Sequence, residues 1–172
     1  IKYAVEKGYF SGLTKTKFGP NNSVTRAMVV AVLGRYEKVE KTEEKVEFTD
    51  VTGTEYYAPY LKWAKDNKIV AGYEDGSFKP NKEITRAELA AVMTRYLRDY
   101  KKMEVKGEAP VFSDDAKLPA WAKTDIYDCV KLGIIKGFKD TAKNDGTMFY
   151  DPTGYALRSQ LATIFYNLDH AK

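Results

Sequence analysis

Apolar positions along the chain fall into the same pattern three times. Val29, Val32, Leu33 and Tyr36 recur at the i, i+3, i+4, i+7 spacing of one face of an amphipathic helix that starts at Arg26. Sixty positions later Leu89, Val92, Met93 and Tyr96 repeat that face, and Leu161, Ile164, Phe165 and Leu168 repeat it again near the end. Equivalent faces imply equivalent burial, so these positions are read as core. A second helix precedes two of these: Tyr57, Tyr60, Leu61 and Ala64 mark one, and Trp121, Ile126 and Val130 the other. Residues 1–4 read as the tail of a third such helix, ended by the glycine-rich stretch 8–12. Residues 37–47, dense in Glu and Lys, and 101–111, which contain Pro110, read as solvated linkers.

The loops between the paired helices carry the same register. Gly12, Phe18, Pro20, Thr25, Arg26 and Ala27 stand one for one, without a gap, against Gly72, Phe78, Pro80, Thr85, Arg86 and Ala87. A looser third copy holds Gly137, Phe149, Pro152 and Arg158, with a longer loop. Self-similarity at this period predicts a repeat architecture. The expected organisation is all-α, with copy one at 1–36, truncated at its start, copy two at 48–100 and copy three at 112–172. Phe48-Thr49-Asp50 and Phe112-Ser113-Asp114 are matching extended lead-ins.

Composition narrows the functional classes. The 28 Lys and Arg against 24 Asp and Glu leave a net charge of +4 with no concentrated basic block, so nucleic acid is not an expected partner. No apolar run reaches the roughly 20 residues needed to cross a bilayer, and membrane insertion is not expected. The single cysteine, Cys129, lies among apolar residues and reads as a buried structural thiol. With one histidine, His170, a metal cluster or a histidine-based triad has almost nothing to be built from, and neither cofactor nor catalysis is expected. Asp140, Asn144 and Asp145 do not match the spacing of a calcium loop and read as an ordinary polar insertion. Thirteen tyrosines suit both packing and wet recognition surfaces such as sugar sites. Ile1 begins inside a repeat with no basic and apolar leader, so the chain reads as a fragment.

The loop-to-helix junction carries the chemistry. Thr85 and Glu88 form the pattern of a capping box, with Ile84 and Leu89 as a hydrophobic staple. An arginine in the first turn faces the positive end of the helix dipole, yet Arg26, Arg86 and Arg158 stand there in all three copies. An anionic partner is expected. Two readings remain open: each arginine forks onto a carboxylate such as Asp50, Asp114 or Glu88, or it joins free helix-start amides in a socket for an external carboxylate or phosphate. The adjoining loop, with Tyr73, Asp75, Gly76 and Ser77, offers an aromatic face and short polar groups beside that socket.

The succession Phe-x-Asp-Val, Trp-Ala, Gly-Tyr-x-Asp-Gly-x-Phe-x-Pro and Ile-Thr-Arg-Ala-Glu closely resembles the S-layer homology repeat, and the likeness covers nearly the whole chain. The resemblance implies three repeats about a pseudo-threefold axis as a three-pronged spindle. It also implies extracellular, non-covalent anchoring of an S-layer protein or enzyme to the bacterial wall, among possible S-layer neighbours. The implied partner is an acidic secondary cell-wall polysaccharide, commonly bearing pyruvylated N-acetylmannosamine, held in grooves between repeats by the motif arginine. On that basis Arg26, Arg86 and Arg158 grip the acid, sugar rings lie against Tyr73, Trp63 or Trp121, and Asp75, Gly76 and Ser77 add polar contacts. Grooves containing Arg26 and Arg86 are favoured over that of Arg158, because copy three has Leu157 in place of the threonine cap and a loop six residues longer, whereas copy one, with Met28 in place of glutamate, keeps Thr25 and Arg26. Replacing Arg86 by alanine is expected to weaken wall binding without unfolding the chain. The alternatives are a protein interaction module of the cell surface and a carbohydrate-active enzyme using Asp75 and Asp145.

Overall fold

Among the described residues six α-helices carry the chain: α1 Lys2–Glu6, α2 Arg26–Tyr36, α3 Ala58–Asp66, α4 Arg86–Thr94, α5 Ala120–Lys131 and α6 Arg158–His170. The computed structural model describes residues 1–170 apart from Lys15, Lys41, Glu43, Ala142 and Asn144. Helix α4 widens into a π-helical turn, Arg95–Tyr100, and a short 3-10 turn, Asp115–Lys117, leads towards α5. Helices are thus nearly all of the regular structure among the described residues, as the periodicity predicts.

The exception is a small antiparallel pair in the third loop, β1 Phe138–Lys139 with β2 Met148–Phe149, Phe138 facing Phe149. The longer loop is therefore a hairpin insertion. It also changes the alignment: the residue that does what Phe78 does is Tyr150, not Phe149. Asp50 accepts hydrogen bonds from the Phe78 and Lys79 amides, both at 2.8 Å, and Asp114 accepts from Tyr150 and Asp151 at 2.7 and 2.8 Å. The two-residue spacing from aromatic to proline, kept in Phe18-x-Pro20, Phe78-x-Pro80 and Tyr150-x-Pro152, was the sequence signal for this register.

Each copy's second helix packs on the next copy's first helix: α2 on α3, α4 on α5, and α6 back on α1. The last pairing brings the two ends of the chain together, where the Tyr3 and Tyr9 hydroxyls donate to Asp169 at 2.8 and 3.0 Å. The loops before the second helices repeat this cyclic order. The Val24 amide donates to the Ala156 carbonyl, the Ala156 amide to Ile84, and the Ile84 amide to Val24, a closed triangle of 2.8, 3.0 and 3.0 Å. Val24, Ile84 and Ala156 are almost fully buried, so this small ring of backbone satisfies amides that would otherwise be costly.

This ring explains why the single apolar face predicted for the second helices understates their burial. In α2, Ala27, Val29, Val30, Ala31, Val32, Leu33 and Gly34 are all buried, and α4 is buried from Arg86 through Thr94 except Glu88. Such helices are enclosed on several sides, so they are apolar nearly all round. Tyr36 and Leu168, read as core, lie only half-buried at the outer ends. The loop glycines have a steric reason: a Cβ on Gly72 would lie 2.4 Å from the Phe48 ring, and one on Gly137 would lie 2.5 Å from the Phe112 ring.

Candidate functional site

The capping predicted from sequence forms the base of the site. Thr85 Oγ1 accepts from the Glu88 amide at 3.2 Å while Glu88 takes the Thr85 amide at 2.9 Å. Thr25 keeps half of this in copy one, accepting from Met28 at 3.3 Å. Copy three keeps the other half, since Gln160 accepts from the Leu157 amide at 3.0 Å.

The next amides of each helix are not free. Those of Arg26 and Ala27 donate to the carbonyls of Lys82 and Pro80, those of Arg86 and Ala87 to Gly154 and Pro152, and those of Arg158 and Ser159 to Asn22 and Pro20, all at 2.9 to 3.1 Å. A socket of open helix-start amides is thus absent at these positions, because the neighbouring copy's loop fills it.

The arginines follow the same direction. Arg26 donates through Nε to the Phe78 carbonyl at 2.8 Å and through Nη2 to Ala71 at 2.9 Å. Arg86 does so to Tyr150 and Lys136 at 2.8 and 3.1 Å, and Arg158 to Phe18 and Ser11, both at 2.8 Å. Each guanidinium also lies over the aromatic ring of the residue it grips, 4.5 to 4.6 Å from the centroid. The negative partners that the helix dipole demands are therefore carbonyl oxygens of the next copy. Among the described residues none of the three arginines forms a carboxylate ion pair, because Asp50 and Asp114 are spent on loop amides and Glu88 on the cap and Lys82.

Two of three guanidinium nitrogens are committed in this way; the third nitrogen of Arg158 donates to Met28 Sδ at 3.8 Å, whereas those of Arg26 and Arg86 make no hydrogen bond among the described residues. Arg86 is buried, yet no buried side-chain nitrogen or oxygen among the described residues lacks a partner. Its Nη1, which makes no hydrogen bond among them, is therefore reached from the cavity that Arg86 lines. Burial lowers the pKa of Arg86, with the Tyr150 hydroxyl, Asp151 and Asp114 opposing the shift, and the group stays a cation.

Each arginine lines one cavity between copies. The Arg26 cavity, about 240 Å³, is bounded by Tyr73, Glu88, Val92, Arg95 and Trp121. The Arg86 cavity, about 220 Å³, has Ile134, Phe138, Gln160, Ile164 and Asn167. The Arg158 cavity, about 430 Å³, has Leu13, Met28, Val32, Arg35 and Tyr56. The structure thus brings Arg26, Tyr73 and Trp121 together from three different copies. Trp121 is 60% exposed at the rim, and Tyr73 lies with its centroid 5.0 Å from the Arg26 guanidinium.

The other expected contacts lie elsewhere. Asp75 is engaged in its own turn, accepting from the Ser77 amide and hydroxyl at 3.0 and 2.5 Å and pairing with Lys79 at 3.2 Å. Gly76, at φ +75°, completes that turn and gives its carbonyl to Thr49, while Ser77 is buried. These three residues do not line the Arg26 cavity. Trp63 packs edge-on against Tyr100, 5.5 Å away, and is likewise outside it. Asp145 heads an equivalent turn, accepting from the Thr147 amide at 2.8 Å, and Asn144 lies outside the described residues. No group of three or more His, Cys, Asp or Glu side chains among the described residues is arranged to hold a metal ion. Sequence reasoning missed Arg35, Arg95 and Tyr56, although Arg35 and Arg95 stand at the same register of sixty that exposed the repeats.

The S-layer homology domain profile matches residues 1–27, 47–90 and 111–142, one segment in each copy. The chain belongs to the S-layer homology domain family. It is 31% identical to an amylopullulanase of Thermoanaerobacterium thermosulfurigenes over 98% of its own length and 9% of that protein's. It is 33% identical to a cellulosome-anchoring protein of Acetivibrio thermocellus over 78% of this chain and 30% of the relative, and 26% identical to the surface-layer 125 kDa protein of Lysinibacillus sphaericus over 96% and 13%. The chain thus spans less than a third of each of these relatives. As a member of this S-layer homology family it is a bacterial cell-surface anchoring module, located outside the cell at the wall or surface layer. Enzyme-named relatives carry the S-layer homology domain as an attached domain.

Proposed function

We propose that this S-layer homology module anchors a larger surface protein by holding an acidic, pyruvylated secondary cell-wall polysaccharide in the cavities between its copies. The observation that carries the reading is the convergence of Arg26, Tyr73 and Trp121 on one cavity. A guanidinium with a nitrogen to spare meets the carboxylate of a pyruvate ketal, and the exposed Trp121 face takes the sugar ring. The Arg26 and Arg86 cavities, at about 240 and 220 Å³, are below the roughly 300 Å³ at which pockets for drug-sized ligands begin, which suits one sugar unit in each; the Arg158 cavity, about 430 Å³, is larger. The cyclic order of helix pairs and arginine contacts supports an arrangement of the three copies about a pseudo-threefold axis, as a three-pronged spindle.

The test is co-sedimentation with isolated cell walls. Trp121→Ala, at an exposed position, should weaken pelleting while leaving the thermal unfolding midpoint in place, and walls stripped of their polysaccharide should lose binding altogether. Full pelleting on stripped walls would overturn the glycan reading in favour of a protein partner.

A further inference from the structure

Across the cavity from Arg26 stands a second guanidinium, Arg95, and its situation differs from that of the motif arginine. Arg26 has Nε and Nη2 bound to the loop of the next copy. Arg95 is half-buried, lines the same cavity, and makes no side-chain hydrogen bond or ion pair among the described residues. It is also the residue at which α4 gives way to the π-helical turn, a feature that recurs at functional sites because it re-aims side chains.

Two cations line one small cavity. Burial lowers the Arg26 pKa, Tyr73 and Glu88 oppose that shift, and Arg95 adds to it. The carboxylate in the same wall, Glu88, is already held by Lys82 at 2.7 Å and by the Thr85 amide. An anion placed between the two guanidinium groups offsets the repulsion between them and gives Arg95 its missing partner.

The corresponding helix position differs among the copies. In the Arg158 cavity it is Arg35, whose single side-chain hydrogen bond among the described residues is a long one, 3.4 Å to the Tyr9 carbonyl, and which lies 6.0 Å from the Tyr56 and Tyr60 rings. In the Arg86 cavity it is Asn167, a neutral amide beside Gln160 and Thr163. The remaining cation there, Lys136, is on the loop and has no planar fork.

We propose that Arg95 and Arg35 are the direct ligands of the acidic group and that Asn167 leaves the Arg86 cavity the least selective of the three for it, with only Lys136 and the spare nitrogen of Arg86 to meet a charge. The motif arginines then build the cavity walls, Arg26 and Arg86 contributing one remaining nitrogen each, while Arg158 Nη1 is turned to Met28 Sδ at 3.8 Å. This inference rests on the acidic-glycan reading above and refines it: one chain grips two acidic units of a polymer tightly and a third unit with less preference for its charge.

The experiment titrates the whole 172-residue chain with the 4,6-pyruvate ketal of N-acetylmannosamine and, separately, with N-acetylmannosamine. Amide resonances of Tyr73 and Phe138 report the Arg26 and Arg86 cavities by NMR. Arg95→Gln should weaken the pyruvylated sugar at the Tyr73 site by about tenfold or more, the loss of a charge-assisted pair, while binding of the parent sugar there is unchanged. Arg95→Lys should recover only part of the loss. Asn167→Arg should strengthen the pyruvylated sugar at the Phe138 site. Equal affinity of wild type and Arg95→Gln for the pyruvylated sugar overturns the assignment of Arg95, and no gain in Asn167→Arg overturns the part given to Asn167 in the third cavity. A wild-type chain that shows no preference for the ketal at either site sinks the acidic-glycan reading itself, and this refinement with it.

Discussion

Arg86 and Tyr150 hold each other in both directions: the guanidinium Nε donates to the Tyr150 carbonyl at 2.8 Å, and the Tyr150 hydroxyl donates back to the Arg86 carbonyl at 3.1 Å. The equivalent rings in the other copies, Phe18 and Phe78, have no hydroxyl to return. The junction between copies two and three therefore has a bond that the other two junctions lack. Burial pushes the Tyr150 hydroxyl pKa upward, so it remains a donor across any working pH. Tyr150→Phe should lower stability by about 1 kcal/mol, the usual net worth of one such bond. A urea titration reads this as a lower midpoint at unchanged slope. An unchanged midpoint would mean the hydroxyl adds nothing to this junction.

The motif arginine itself is a heavier loss. Arg86→Ala removes two charge-assisted donors from carbonyls of the next loop and a buried cation–π contact, which together should cost about 3 kcal/mol. This prediction runs against the expectation from sequence that the substitution spares the fold. Circular dichroism melts of Arg86→Ala should show a markedly lower midpoint, and any loss of wall binding in that variant mixes folding with recognition. A midpoint equal to wild type would show that the Arg86 contacts with the next loop do not hold the fold.

The period of sixty, the helix spans and the capping box were legible because each depends on local spacing alone. The cavity composition was legible only in part: Arg26 and Tyr73 are flagged by their motifs and Trp121 was named beside Trp63, but that Trp121 and not Trp63 meets them, from a third copy through the α4–α5 packing, no local pattern records. The partner of the motif arginine was not legible at all. Reasoning from charge leads to a carboxylate, but the answer is the carbonyl of a residue 52 positions away in one copy and 140 in another. Backbone carbonyls carry no residue-type signal. The Tyr150 register was hidden for a different reason, since the adjacent Phe149 offered a closer match to the motif letter.

Asp75 gives the loop a measurable acid limit. Its carboxylate accepts the Ser77 hydroxyl and amide and faces Lys79, which pulls its pKa down from 3.8 to about 2. In the unfolded chain the carboxyl titrates near its ordinary value, so it binds protons more readily than the native state between about pH 4 and 2. Its stabilising contribution is complete above that range and is lost as pH falls through it. Following the Asp75 side-chain carboxyl carbon by NMR should give a midpoint near 2, moving upward in Ser77→Ala. A midpoint near 4 in wild type would show that the turn does not favour the ionised form.

Gly34 sets how closely α2 and α3 approach. Alanine is the better helix former by about 1 kcal/mol, so propensity alone predicts that Gly34→Ala stabilises the protein. The structure predicts the opposite, because the new Cβ would lie 2.3 Å from Tyr60 Cδ1, 2.6 Å from Cγ and 2.7 Å from Cβ. Those atoms are the root of the side chain and cannot swing aside, and Tyr60 is itself buried between the helices. Overpacking of this kind costs about 1 to 3 kcal/mol, and a contact this short belongs at the upper end. The net effect should be a loss of about 2 kcal/mol once the propensity gain is offset. The corresponding position in α4 is Thr94, whose hydroxyl instead reaches across to the Asp125 carbonyl at 3.0 Å, so the helix pairs close around different fillings. A Gly34→Ala chain with a raised urea midpoint would mean that α2 and α3 part at little cost, and close pairing of the helices would then carry little of the stability of the ring.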